Sequence, residues 1–190
     1  MKGFGDQNKF NKKREKISKS IKPSREQIYN QAIQFHSQGN IPEAAKYYQY
    51  FINQGFEDYG VFSNYGVILR GLGKLKEAEF CYRKAIKINP DFYKAHFNLG
   101  NVMKDLGKLK EAEFCYLKAI EINPDFADAY SNLGNVLRDL GNLNQAEISF
   151  RKAIKINPNF AIFHSNLGGI LKDLGTVSYT HLRAHETKSY

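Results

Sequence analysis

Apolar and small residues recur at spacings of three and four along most of this chain, and the pattern repeats every 34 residues. In 93–106 they include Leu99, Gly100 and Met103, which share one side of a helix with 3.6 residues per turn. The segment 109–122 shows the same spacing. Each unit therefore contains two amphipathic helices.

Helix-breaking residues separate these two helices and close each unit. Gly107 stands between them, and glycine readily adopts the left-handed conformation that ends a helix. Pro124 follows the second helix and prevents its continuation. Each unit is predicted to be a helical hairpin that buries its apolar face against its neighbours, as in a solenoid.

The repeats begin at Arg25, directly after Ser24, which is predicted to cap the first helix. Residues 1–24 form an arm before the repeats. The solenoid at 25–176 divides into a divergent unit, three regular units and part of a fifth, at 25–58, 59–92, 93–126, 127–160 and 161–176.

The units resemble the tetratricopeptide repeat family, whose pattern is an aromatic residue at position 4, Leu-Gly at 7 and 8, Ala at 20, an aromatic residue at 24, Ala at 27 and Pro at 32. In the fourth unit these residues are Tyr130, Leu133, Gly134, Ala146, Phe150, Ala153 and Pro158. The first unit departs from the pattern at Gln31, Phe51 and Phe56. The resemblance covers 25–175 and implies an all-α, right-handed superhelical solenoid of antiparallel hairpins that binds protein partners.

Glycine at position 8 costs about 1 kcal/mol in a helix interior relative to alanine. We therefore expect a close helix approach at Gly100 and at its counterparts Gly134 and Gly168. Ala112 of the partner helix is predicted to contact Gly100, with Tyr116 filling the space beyond.

Positions 2, 5, 6, 9, 12 and 13 of each first helix are predicted to face the concave groove, opposite the buried stripe. Position 6 is Asn in four successive units, and position 12 is Arg or Lys. The candidate peptide-binding residues are Asn64, Arg70, Phe97, Asn98, Asn101, Lys104, Asn132, Asn135, Arg138, Asn166 and Lys172.

The asparagine column has two interpretations. An amide side chain can pair with both the C=O and the N–H of an extended peptide, and the column resembles the asparagine ladder in the superhelical repeats of O-GlcNAc transferases, which also read Asn-Leu-Gly-Asn. Alternatively, the amides bond only between neighbouring helices. The Arg/Lys column and the adjacent Asp column likewise form either solvated surface pairs or a groove that selects charged ligands.

The net charge of +9 is concentrated in the arm, since residues 1–24 contribute +6 and the remaining 166 residues only +3. Such a polar segment is predicted to be disordered and solubilising. Contact with nucleic acid phosphates or an anionic membrane surface is the alternative, and nucleic acid is not the expected partner.

Catalytic and metal-binding patterns are not found. His96 and His164 occupy the aromatic position 4 and are expected in the core. Cys81 and Cys115 lack metal-ligand spacing and are predicted to remain unpaired. We predict no cofactor, no metal and no enzymatic activity in this segment, no membrane span, and a cytoplasmic location.

The repeat pattern fails after Gly175, where Thr180, Ala184 and Thr187 stand in place of Ala, an aromatic residue and Ala. Residues 177–187 resemble the in-frame translation of a transposase adapter used in sequencing libraries. We therefore expect 177–190 to be a non-native tail and the natural protein to continue beyond 176.

Two functions are compatible with these features. The first is a scaffold that docks an extended polypeptide in the concave groove. The second is the N-terminal, substrate-presenting part of a larger, glycosyltransferase-like transferase. Loss of a fifth second helix would also expose an apolar face suited to self-association, formed by Leu167, Ile170, Leu171 and Leu174.

Overall fold

The computed structural model describes the backbone of residues 23–186 and the side chains of residues 23–176. Expectations for the arm at residues 1–22 and for the side chains of the tail at 177–190 lie outside these. Within the described residues the chain forms nine helices and no strand, as predicted. The helices are α1 (Arg25–Ser37), α2 (Ile41–Asn53), α3 (Tyr59–Gly71), α4 (Leu75–Ile88), α5 (Tyr93–Asp105), α6 (Leu109–Ile122), α7 (Ala127–Asp139), α8 (Leu143–Ile156) and α9 (Ala161–Glu186).

The described residues form two compact units, which divide between Phe56 and Glu57. In the first, α1 packs against α2 as a hairpin. In the second, α3 packs on α4, α5 on α6 and α7 on α8, and each second helix also contacts the first helix of the next repeat. Within the second unit this alternation is the predicted helical repeat solenoid, in which each hairpin shields the apolar side of its neighbour.

The turns within the hairpins share one backbone geometry. Gly107 has a φ of 73°, in the left-handed region that favours glycine. Its N–H donates to the Lys104 carbonyl at 2.9 Å, and the Lys108 N–H donates to the Met103 carbonyl at 2.8 Å. This is a Schellman motif, and positive φ also occurs at the turns of the other complete hairpins, at Gly39, Gly73 and Gly141.

Three of the helix starts, those of α1, α2 and α3, are capped by side chains. The Gln27 N–H donates to Ser24 Oγ at 3.2 Å, and the Ser24 N–H donates to Gln27 Oε1 at 2.8 Å. This capping box confirms Ser24 as the N-cap of α1. Asp58 Oδ1 accepts from the Val61 N–H at 3.0 Å and caps α3 in the same manner.

The core consists mainly of small and aromatic residues of the second helices, interlocked with positions 3 and 10 of the first helices. Position 3 is fully or almost fully buried in the four later units, at Val61, Ala95, Ala129 and Phe163. Position 4 was expected in the core, but His96 is only half-buried and His164 is exposed. Their Nε2–H groups donate to the Pro90 and Pro158 carbonyls at 2.9 and 2.7 Å, so these imidazoles remain at the edge of the core.

The helix glycines contact aromatic rings rather than the alanines that the sequence suggested. A Cβ on Gly100 would lie 2.7 Å from Tyr116 Cε1, and a Cβ on Gly134 would lie 2.7 Å from Phe150 Cε1. Gly66 and Tyr82 repeat the contact at 2.8 Å. The ring therefore lies directly over the helix backbone, and glycine is the residue that leaves room for it.

The fifth repeat lacks this arrangement. Helix α9 runs through Gly175 to Glu186, and Gly175 does not adopt the positive φ of its counterparts. Ile170, expected on an exposed face, is fully buried, whereas Leu171 is 44% exposed. Leu167 and Leu174 are half-buried. A Cβ on Gly168 would meet nothing within 4 Å.

These contacts predict opposite effects for the same substitution at two equivalent glycines. Gly100→Ala should lower the free energy of unfolding by about 1–3 kcal/mol, because its methyl group overpacks the Tyr116 ring. Gly168→Ala has open space and should be neutral or stabilising by up to about 1 kcal/mol through helix propensity. Urea unfolding followed by circular dichroism measures both, and equal stabilities would contradict the ring-over-glycine contact.

Candidate peptide-binding site

The four asparagines of position 6 lie on the first helices α3, α5, α7 and α9. Asn64, Asn98, Asn132 and Asn166 are all half-buried. These side chains are therefore partly accessible to solvent. Their internal hydrogen bonds determine which of the amides can still bind a ligand.

Two of these amides bond to a neighbouring helix. Asn132 Nδ2 donates to Asn101 Oδ1 at 2.8 Å, and Asn166 Nδ2 donates to Ser131 Oγ at 3.1 Å. The Tyr116 hydroxyl donates to the same Asn101 oxygen at 2.8 Å. Asn101, which was expected to face the groove, is 7% exposed and joins α5, α6 and α7 in a buried polar network.

The other two amides differ. Position 9 of the second unit is Val67 where the third unit has Asn101, so Asn98 has no side-chain acceptor comparable to that of Asn132. Within the described residues, no hydrogen bond joins the side chain of Asn64 or Asn98 to another group. Both amides keep their full capacity for a ligand.

A cavity of about 450 Å³ opens beside Asn98, between α3 and α5. Val67, 45% exposed, gives it an apolar wall. Gly71, which stands where the next unit has Asp105, leaves it open on one side. The buried Tyr82 also lines it, and burial raises the pKa of this phenol, an effect that Arg70 partly offsets. Tyr82 is therefore a neutral hydroxyl at physiological pH.

The charged columns form ion pairs between successive first helices. Arg70 Nε lies 2.7 Å from Asp105 Oδ2, and Arg138 Nε lies 2.6 Å from Asp173 Oδ2. The hydrogen bond to Asp105 raises the pKa of Arg70. These pairs are partly exposed, so each stabilises the fold by at most about 1 kcal/mol. Of the two pairs, Arg70–Asp105 lines the cavity.

The remaining candidates are placed less uniformly. Phe97 is half-buried and packs edge-on against Phe126, with ring centroids 4.7 Å apart, and against Tyr116 at 5.8 Å. Asn135 and Lys104 are half-buried and Lys172 is exposed. Among all predicted residues, the cavity brings together only Arg70 and Asn98.

Sequence reasoning missed the residues that create the cavity. Val67 and Gly71 interrupt columns that are polar in the following units, and such interruptions are a usable signal. Tyr82 was assigned only to the core, yet it also lines the cavity.

The cysteines and titratable clusters do not add chemistry. Cys81 and Cys115 are free and buried. Burial raises their pKa to about 12 and about 11, so the reactive thiolate is scarce at neutral pH. Among the described residues, no group of three or more His, Cys, Asp or Glu side chains could hold a metal ion, and no helix has the length and apolarity to cross a membrane.

The hydrogen-bond pattern predicts different roles for equivalent asparagines. Asn132→Ala removes a donor to the buried Asn101 oxygen and should lower the free energy of unfolding by about 0.5–1.5 kcal/mol. Asn98→Ala breaks no internal hydrogen bond and should change it by less than about 0.5 kcal/mol. Urea denaturation compares the two variants, and a destabilised Asn98→Ala would make that amide structural.

Three solved structures illustrate the similarity of this fold to known proteins. Residues 41 to the end of MamA from Desulfovibrio magneticus RS-1 match at 21% identity, over 89% of this chain and 94% of that chain, with a TM-score of 0.73. YrrB, described as a TPR protein with an unusual peptide-binding site, matches at 24% identity, over 75% and 73%, with a TM-score of 0.69. The first TPR of Spaghetti (RPAP3), bound to the HSP90 peptide SRMEEVD, matches at 25% identity, over 62% and 93%, with a TM-score of 0.60.

Family models match the regular units directly, whereas no curated protein sequence matches the chain. A model described as TPR repeat matches residues 66–107 and 100–141, and a model described as Tetratricopeptide repeat matches residues 127–160. The matches together span 66–160, half of the 190 residues. With the alternating hairpins and the structural neighbours, they show that this chain belongs to the tetratricopeptide repeat family.

Proposed function

We propose that this protein is an interaction scaffold that docks an extended polypeptide segment along its first helices, with the cavity between α3 and α5 as the main contact. The observation that carries this proposal is the Asn98 amide, which borders the cavity and has no internal hydrogen bond. Equivalent amides farther along are already bonded to protein.

The groups around the cavity match the chemistry of a peptide. The Asn98 amide supplies one acceptor and two donors for the peptide C=O and N–H groups. Val67 provides apolar surface and Tyr82 a neutral hydroxyl. At about 1 kcal/mol per hydrogen bond, such a site favours a weak ligand that is recognised largely through its backbone.

The other groove residues extend this contact. Asn132 and Asn166 use their amide nitrogens internally, so their carbonyl oxygens remain for a ligand. Asn64, Asn135, Lys104 and Lys172 offer further polar groups on the same helices. Asn101 is left out of the proposed site because it is buried.

Two structural neighbours support a peptide ligand, since YrrB is described as having an unusual peptide-binding site and the first TPR of Spaghetti (RPAP3) is bound to an HSP90 peptide. The free thiols of Cys81 and Cys115 support a reducing, cytoplasmic setting. The alternative of a transferase with substrate-presenting repeats stays a prediction, as does self-association through the exposed Leu171.

The proposal predicts a loss of affinity without a loss of stability. Peptides selected from a random phage-displayed library on the wild-type chain should bind Asn98→Ala about fivefold more weakly, the equivalent of one hydrogen bond. Val67→Asn should weaken them similarly, because it supplies the internal partner that Asn98 lacks. Isothermal titration calorimetry measures both effects.

The matched control is Asn144→Ala, since Asn144 is an exposed amide on a second helix, α8. Its affinity and melting temperature should equal those of the wild type. Selected peptides that bind Asn98→Ala and Val67→Asn as tightly as the wild type would refute this site.

A further inference from the structure

A second and larger cavity, of about 540 Å³, lies between the second helices α4 and α6, away from the groove of the first helices. Its apolar lining includes Ile86 of α4, Leu99 of α5 and Phe114 of α6. This volume falls within the range of small-ligand pockets. The cavity is therefore large enough for a bulky apolar side chain of a partner.

Exposed apolar residues continue this lining along the second helices. Phe114 is 62% exposed, and the same position is occupied by Phe80 one unit earlier and Ile148 one unit later, at 56% and 60% exposure. Aromatic rings held in solvent at a 34-residue spacing have no role in the core. An apolar surface of this kind, rimmed by charge, marks an interaction site.

Three cations and one carboxylate, that of Glu111, border the cavity, and the partners of the cations differ. Arg83 lies 2.8 Å from Glu79 and 3.6 Å from Glu111, and Lys110 lies 3.0 Å from Glu113. Within the described residues Lys87 has no ion-pair partner. Lys87 is exposed and available to an anionic ligand.

Two cations of this rim, Arg83 and Lys87, are absent from the third unit and recur in the fourth as Arg151 and Lys155. Segments 73–92 and 107–126 are identical except at two positions, where Arg83 and Lys87 correspond to Leu117 and Glu121. Both differing cations line this cavity. These two cations are therefore what distinguishes segment 73–92 from segment 107–126.

We propose that this cavity binds an acidic segment of a partner protein, whose bulky apolar side chain enters between α4 and α6 while a neighbouring carboxylate pairs with Lys87. Charge complementarity selects this occupant. It also argues against the chain's own residues 1–24, whose net charge is +6. The site is independent of the groove on the first helices and of the function proposed for it.

The test uses the full chain and a fluorescein-labelled peptide that carries a Trp flanked by Asp and Glu. Fluorescence anisotropy measures the affinity of the chain for this peptide. Two further peptides serve as probes, one with Ala in place of Trp and one with Lys in place of the acidic residues. Lys87→Glu should weaken the acidic Trp peptide by roughly fivefold to tenfold, and Phe114→Ser should weaken it comparably. The effect of Lys87→Glu should shrink as salt rises from 50 to about 500 mM, because an exposed pair is screened.

Lys155→Glu is the matched control. Lys155 occupies the position of Lys87 two units later, on α8, and the two substitutions change the net charge equally. It should leave the affinity within about twofold of the wild type, as should Asn98→Ala, which probes the groove instead. The proposal is overturned if the wild type fails to bind the acidic Trp peptide at millimolar concentration. It is also overturned if the Lys peptide binds equally well, or if Lys155→Glu and Lys87→Glu weaken binding to the same extent.

Discussion

The aromatic ring that lies on a helix glycine is the contact on which each regular hairpin depends. Tyr116 approaches Gly100 so closely that even a methyl group would overlap the ring, and Phe150 does the same at Gly134. This approach fixes the distance between the two helices of a hairpin. It also brings the Tyr116 hydroxyl to Asn101 in the third unit, whereas Tyr82 lines the open cavity in the second.

Single residues at equivalent positions decide whether a unit is closed or open to a ligand. Asn101 accepts hydrogen bonds from Tyr116 and Asn132 and seals its part of the groove. Val67 cannot accept them, so the corresponding space in the second unit stays open. The same backbone thus supports a structural network in one repeat and a candidate binding site in the next, in keeping with function residing in sites rather than in the fold.

The helices, turns and hairpin pairing could be predicted from the sequence. Apolar residues follow the spacing of an amphipathic helix, and Gly107 and Pro124 mark where the helices end. The site was predicted only in part. Repeat position places Asn98 and Asn101 on the same surface of a helix. The burial of each side chain, however, depends on the residues of the next helix. Tyr116 donates a hydrogen bond to Asn101, and Asn101 is buried. The cavity beside Phe114 is formed by packing between successive units. The periodicity of apolar residues within one helix does not predict such packing.

The near-identity of α4 and α6 has a consequence for folding. These helices differ at only two positions, so either could dock on α3 or α5 during folding, and misassembly between units is a characteristic failure of repeat proteins. Docking α6 onto α3 would bring Tyr116 against Val67 and leave Asn101 without its hydroxyl donor. The buried amide therefore penalises a register error that hydrophobic contacts alone tolerate.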